Sequence, residues 1–192
     1  MSMYVVYSKE KLILRGSLLE ACKAAYARRN EKEIVIFEES SYQVIDIDCL
    51  SGSVEDLIER VDKFAMSTPK SVRVRGRPKM GVVSREVTLL PRHWEWLELQ
   101  DGGISATLRR LVASARKDPE QQKLYKKTLL LEKAHRFCTI VAGDMEGFEE
   151  ALRSLYLGDS NGFTEAIQSW PHDIAETAKR LAKEALEAAE AN

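Results

Sequence analysis

The chain has 192 residues, 44% of them hydrophobic and 31% charged, and a formal net charge of −1. That length allows one large domain or two to three small ones. The near-balance of charge excludes a uniformly basic nucleic-acid coat. No stretch approaches membrane-spanning length, and no basic-then-apolar leader opens the chain. The three cysteines, Cys22, Cys49 and Cys138, are odd in number and far apart. Such usage fits reduced thiols in a cytoplasmic protein rather than a disulfide framework.

Residues 1–66 read as a small α+β domain in the order ββαββα. Met3 to Tyr7 and Lys11 to Leu14 suit two short strands joined at Ser8-Lys9-Glu10. Gly16 and Ser17 start a helix to about Arg29, with Leu18, Leu19, Cys22, Ala25 and Tyr26 as its apolar stripe. Glu33 to Phe37 and Tyr42 to Asp48 suit two more strands, and Ser53 caps a helix from Val54 to about Phe64. Asp46 and Asp48 stand two apart on one strand face and could bind a cation, but an exposed strand face accounts for them more simply.

Residues 67–81 form a basic linker. Within it Arg75, Gly76, Arg77, Pro78 and Lys79 spell RGRPK. The glycine lets the backbone approach a groove floor, and the proline holds Arg77 extended. A narrow A/T-rich minor groove attracts such inserted arginines. The pentapeptide resembles an AT-hook; it equally suits a solvated basic linker.

Residues 82–117 read as strand, helix, turn, helix. Val82 to Leu90 is β-rich and stops at Pro91, which suits the first turn of a helix. Trp94, Leu97 and Trp96 supply that helix's apolar side, and Asp101-Gly102-Gly103 ends it. Ser105 is expected as N-cap of the second helix, in which Ile104, Leu108, Leu111, Val112 and Ala115 recur at helical spacing. The arrangement resembles the ribbon-helix-helix repressors. That resemblance implies a homodimer paired through strand 82–90, with alternate strand residues in the major groove. Counted back from Pro91 those are Leu89, Val87 and Arg85, of which only Arg85 can hydrogen-bond a base edge. A shift of one residue would instead bury Val83, Val87 and Leu89 and expose Ser84, Glu86 and Thr88. In either register the second helix would offer free N–H groups to a phosphate at Gly103–Ser105, beside Arg109 and Arg110. From Lys70 to Lys117 there are eleven Lys or Arg against four Asp or Glu, a local +7 in a chain of net −1.

Residues 118–192 turn helical. Asp118-Pro119 begins a helix to about Ala142, with Leu130, Ala134, Phe137 and Val141 on one stripe. His135 and Cys138 are three apart and could touch one metal, but they have no obvious further ligands. A repeat comes next: Gly143 to Tyr156 (GDMEGFEEALRSLY) and Gly158 to Pro171 (GDSNGFTEAIQSWP) match at a fifteen-residue offset. Each copy reads as a Gly-Asp turn leading into a short helix anchored by Phe148 or Phe163. Asp144, Glu146 and Asp159 do not have the spacing of a calcium loop, and helix capping accounts for them. Trp170-Pro171 starts the last helix, through Ala188, with Ile174, Leu181 and Ala185 inward.

The segments RGRPKMGVVSREVTLLPRHWEWL (75–97), AGDMEGFEEALRSLY (142–156), WPHDIAETAKRLA (170–182) and IFEESSYQVIDID (36–48) resemble a bacterial family catalogued as domain of unknown function 2239. That family implies no established activity. No nucleophile–base pair, phosphate-cradling glycine loop or clustered ligand set is found, so neither an enzyme nor a cofactor or metal is expected. Two functions stay open. One is a dimeric DNA-binding regulator or nucleoid-associated factor for A/T-rich duplex, using Arg75, Gly76, Arg77, Lys79, Arg85, Gly103, Ser105, Arg109 and Arg110. The other is an interaction or scaffold protein, in which the Trp94/Trp96 helix and the strand face a protein partner.

Overall fold

Strand β1 (Tyr4–Ser8) explains most of the architecture. Its Val5, Val6 and Tyr7 are all fully buried, although successive side chains of a strand point to opposite faces. A strand buried on both faces must lie between two layers. In the computed structural model, which describes residues 2–31, 33–67 and 83–190, β1 is the centre of a three-stranded antiparallel sheet of order β2-β1-β3. Its neighbours are β2 (Lys11–Gly16) and β3 (Ile34–Glu38).

One face carries Val6 and Ile36 against helix α1 (Leu18–Ala27) and helix α2 (Val54–Ser67), through Ala21, Cys22, Ala25, Leu57 and Val61, with Cys49 of the intervening loop in the same cluster. The other carries Val5, Tyr7 and Phe37 against Ala134, Phe137, Cys138, Ile174, Ala178 and Leu181. Those residues come from helix α5 (Pro119–Ala142) and helix α8 (His172–Glu190). A register irregularity between Val6 and Tyr7 sets Tyr7 opposite Leu12 and Val6 opposite Leu14. Leu12 and Leu14, two apart, therefore reach different cores.

The sheet and the C-terminal helices are joined by polar contacts as well. The hydroxyls of Tyr7 and Thr177 share a buried 2.6 Å hydrogen bond. The backbone N–H of Leu12 donates to Asp173 Oδ2 at 3.0 Å. The described residues fall into two compact units, one made of those up to 67 with 124–190, the other of 83–123. The fold is α+β and mostly helical.

Local sequence explains the first helix. Ser17 takes extended angles, its hydroxyl accepts from the Glu20 N–H, and the Glu20 carboxylate accepts from the Ser17 N–H, a reciprocal cap. Ser53 and Asp56 repeat the arrangement at α2.

The fourth strand expected at Tyr42–Asp48 does not form. Tyr42 takes φ 50°, and only Val44 makes an isolated bridge to Phe37. The chain then leaves the sheet because Asp48 is taken by a turn. Its carboxylate accepts from the N–H groups of Leu50 and Ser51 and from the Ser51 hydroxyl. Those bonds, the hydroxyl's first, hold the Asp48 carboxyl below its usual range.

The two repeat copies differ in phase. Asp159 caps helix α7 (Ser160–Ala166), accepting from the Gly162 N–H at 2.9 Å. Asp144 caps nothing: helix α6 (Phe148–Leu157) begins later, after Gly147 at φ 81°. Gly147 is required there, because a Cβ would lie 2.1 Å from the Ala166 carbonyl oxygen. Phe163 is buried and Phe148 packs at the edge of the same core.

Candidate nucleic-acid interface

The basic pentapeptide, Arg75, Gly76, Arg77, Pro78 and Lys79, lies outside the described residues. Beyond it, residues 83–90 form no strand, and the segment is exposed along nearly its whole length. A strand is made by its partner's hydrogen bonds, and among the described residues this segment has no ladder partner. Val83 is 72% and Val87 55% exposed, and Arg85 faces solvent between them.

Helix α3 (Pro91–Glu98) starts as expected, with Pro91 in its first turn and the Leu90 carbonyl accepting from the His93 N–H at 2.8 Å. Leu97 is its buried residue, and Trp96 is 51% exposed. A tight turn comes after it. The N–H of Gln100 bonds the Leu97 carbonyl, the N–H of Gly103 bonds that of Gln100, and Gly102 and Gly103 take φ of 85° and 74°. Only glycine adopts such angles without strain, so the Asp-Gly-Gly triplet makes this turn.

Helix α4 (Gly103–Ala115) therefore begins at the glycines. Its N-cap is Gly102, with no side-chain cap hydrogen bond. Ser105, expected as the cap, instead lies exposed within the first turn. The turn is pinned by Arg110, whose Nη2 donates to the Asp101 carbonyl at 3.2 Å and to Thr107 Oγ1 at 3.1 Å. Arg110 is thus committed to the helix pair. Arg109, next to it, is exposed; it makes no ion pair among the described residues, and neither do Arg85, Arg92, Arg116 and Lys117. The apolar stripe read on α4 is present but poorly covered: Ile104 and Leu108 are half-buried, Leu111 and Val112 exposed. Leu97 and Thr107 are the buried residues among the described ones of this unit.

His135 and Cys138, the helical pair that could touch one metal, have other surroundings. Cys138 is in the core, where burial pushes its thiol up to about 12. His135 is half-buried, its Nδ1 2.6 Å from the Tyr156 hydroxyl. Among the described residues, no group of three or more His, Cys, Asp or Glu side chains could hold a metal ion. No helix of the described residues is long and apolar enough to cross a membrane.

Sequence reasoning passed over a second polar cluster, where Lys133 and Arg180 meet Tyr42 and Glu184. Tyr42 and Arg180 are 138 positions apart, and on helices rich in Lys and Glu neither cation carried a local signal.

Comparison with curated proteins and with solved structures gave no match. The family model described as uncharacterized protein conserved in bacteria (DUF2239) matches residues 3–182, nearly the full length, and the chain belongs to that family.

Proposed function

We propose that the protein is a DNA-binding regulator or nucleoid-associated factor that acts as a homodimer. The observation that carries this reading is the surface of residues 83–117. Exposed apolar side chains (Val83, Val87, Leu90, Trp96, Leu111, Val112) stand there beside exposed cations without ion pairs among the described residues (Arg85, Arg92, Arg109, Arg116, Lys117). A segment with no ladder partner among the described residues and with bare apolar side chains gains both hydrogen bonds and burial from a second copy of itself. A unit of this size with so small a core is marginal alone. The cations left over suit phosphates, and the uncapped start of α4 at Gly103–Ser105 suits a phosphate oxygen. Arg75, Gly76, Arg77 and Lys79 would enter the minor groove of an A/T-rich duplex, Arg85 a major groove, and Arg109 would meet the phosphate backbone. Arg110, already bonded to Asp101 and Thr107, would hold α4 in position rather than reach for DNA.

The test is a fluorescence-anisotropy titration of a labelled A/T-rich duplex at several salt concentrations, with wild type and Arg75→Ala/Arg77→Ala. The expected log K falls with log salt at a slope of about −0.9 per phosphate contacted, and the double variant loses affinity and slope. No binding by wild type at low salt would overturn the reading. Trp96, exposed on α3, supports a second one: an interaction protein whose 83–99 surface takes a protein partner and whose basic segment is a linker. Stoichiometric capture of a protein without any duplex affinity would favour it.

A further inference from the structure

The loop that leaves β3 reads Glu38-Glu39-Ser40-Ser41-Tyr42. It must reverse direction with Tyr42 at φ 50°, a conformation few side chains adopt, yet the Tyr42 ring is fully buried. Cations from α5 and α8 hold it. Arg136 Nη1 donates to the Ser41 carbonyl at 2.6 Å, Arg180 Nη2 donates to the Tyr42 hydroxyl at 2.9 Å, and Lys133 Nζ sits 5.5 Å from the Tyr42 ring centre.

Two of these cations are under-compensated. Lys133 and Arg180 share one carboxylate: Glu184 lies 2.7 Å from Arg180 Nη1 and 3.4 Å from Lys133 Nζ. The Lys133 side chain is only 14% exposed. An ammonium has three donors, and the long bond to Glu184 is the single hydrogen bond Lys133 makes among the described residues. A cation whose stem is packed away and whose head is thinly paired gains from any further negative charge that can reach it. Both cations line an open cleft of about 690 Å³, whose other walls are Ser2, Met3, Glu39 and Ser40. That volume suits a small molecule. Ser40 is exposed, and its hydroxyl makes no hydrogen bond among the described residues, so it is available as a further donor. Glu39, 3.8 Å from Arg15, sets the opposite limit. A polyanion laid across the cleft would meet its carboxylate, whereas a ligand with one anionic group can keep to the Lys133–Arg180 side.

We propose that this cleft binds a small organic anion through a single carboxylate or phosphate group, held by Lys133 Nζ and the free guanidinium donors of Arg180, with Ser40 at the rim. The inference stands apart from the nucleic-acid reading, because it rests on residues of the sheet-containing unit alone. The test uses the full chain with inorganic phosphate and acetate as probes, at constant ionic strength against chloride, monitored by heteronuclear NMR. Saturable shifts are expected at residues 39–42 and 180, with the probe that saturates naming the phosphate or carboxylate group. Lys133→Met, which keeps the apolar stem, should weaken binding at least tenfold. Glu39→Gln, which removes the opposing charge from the surface, should tighten it several-fold. Overturning results are a response no greater than chloride's for both probes, shifts scattered away from the cleft, or unaltered affinity in Lys133→Met. If Lys133→Met does not fold, Glu39→Gln decides alone, and unchanged affinity in it overturns the proposal.

Discussion

Tyr7→Phe tests the joint between the sheet and the last helix. The Tyr7 hydroxyl bonds Thr177 Oγ1 at 2.6 Å, and both residues are buried. A net hydrogen bond contributes about 1 kcal/mol, and a buried partner left unsatisfied adds about 1 more, so Tyr7→Phe should cost about 2 kcal/mol. Thr177→Val should cost a similar amount, while the double variant, which orphans neither partner, should cost only about 1 kcal/mol, well below the sum. Urea unfolding reads these as shifts in midpoint at constant slope. The pH dependence supplies a second reading. Burial, the largest cause, raises the Tyr7 hydroxyl from 10.0 to about 12. Below pH 10 folded and unfolded chains both keep the proton, and the stability is fully present. Above pH 10 the unfolded chain releases a proton that the folded chain retains, so stability falls until about pH 12, by about 3 kcal/mol in all. Tyr42 and Cys138 are also raised, so the quantity to follow is the difference between wild type and Tyr7→Phe, which should shrink through that window. A cost below about 0.5 kcal/mol at neutral pH, or a difference flat from about pH 9 to 12, would refute the joint.

Gly147→Ala and Gly158→Ala should separate sharply in denaturant melts: roughly 3 kcal/mol for the first, where the new Cβ meets the Ala166 carbonyl, and about 1 for the second, where φ is also positive but the space is open. Cys22, Cys49 and Cys138 are all buried and unbridged. Iodoacetamide at about pH 7.5 should therefore label none of them in the folded protein and all three in urea, counted by mass spectrometry; rapid native labelling would contradict the packing. Leu111→Glu combined with Val112→Glu should leave helix content by circular dichroism within a few per cent while shifting the species seen by sedimentation from dimer to monomer. A wild type that is monomeric at every concentration would remove the basis for self-pairing.

Much of the local structure was written in short stretches. The helical period placed α1, α5 and α8, and in α5 it named Ala134 and Phe137, both of which are buried. Pro91 and the Asp-Gly-Gly triplet fixed the start of α3 and the turn into α4, because proline and glycine act through their own backbone angles. Readings that needed a partner fared differently. Alternation at Tyr42–Asp48 looked like a strand, but Tyr42 turns to φ 50° to bury its ring against distant helices and Asp48 is drawn into a turn. The β-rich run 83–90 has no neighbour among the described residues, so alternation alone could not make it a strand. Ser105 had the chemistry of a cap, yet Gly102 won the position because the left-handed turn placed the helix start three residues earlier.

By itself the sequence determined where the helices and tight turns lie and where the charge concentrates, since periodicity, Pro, Gly and Lys/Arg counts act over a few residues. Only the tertiary structure decided that residues up to 67 and 124–190 share one core, with Val5 and Tyr7 facing one set of helices and Val6 the other. It alone brought Lys133, Arg180 and Tyr42 together. The Tyr7–Thr177 and Tyr42–Arg180 contacts join residues 170 and 138 positions apart, and no window of sequence contains both partners.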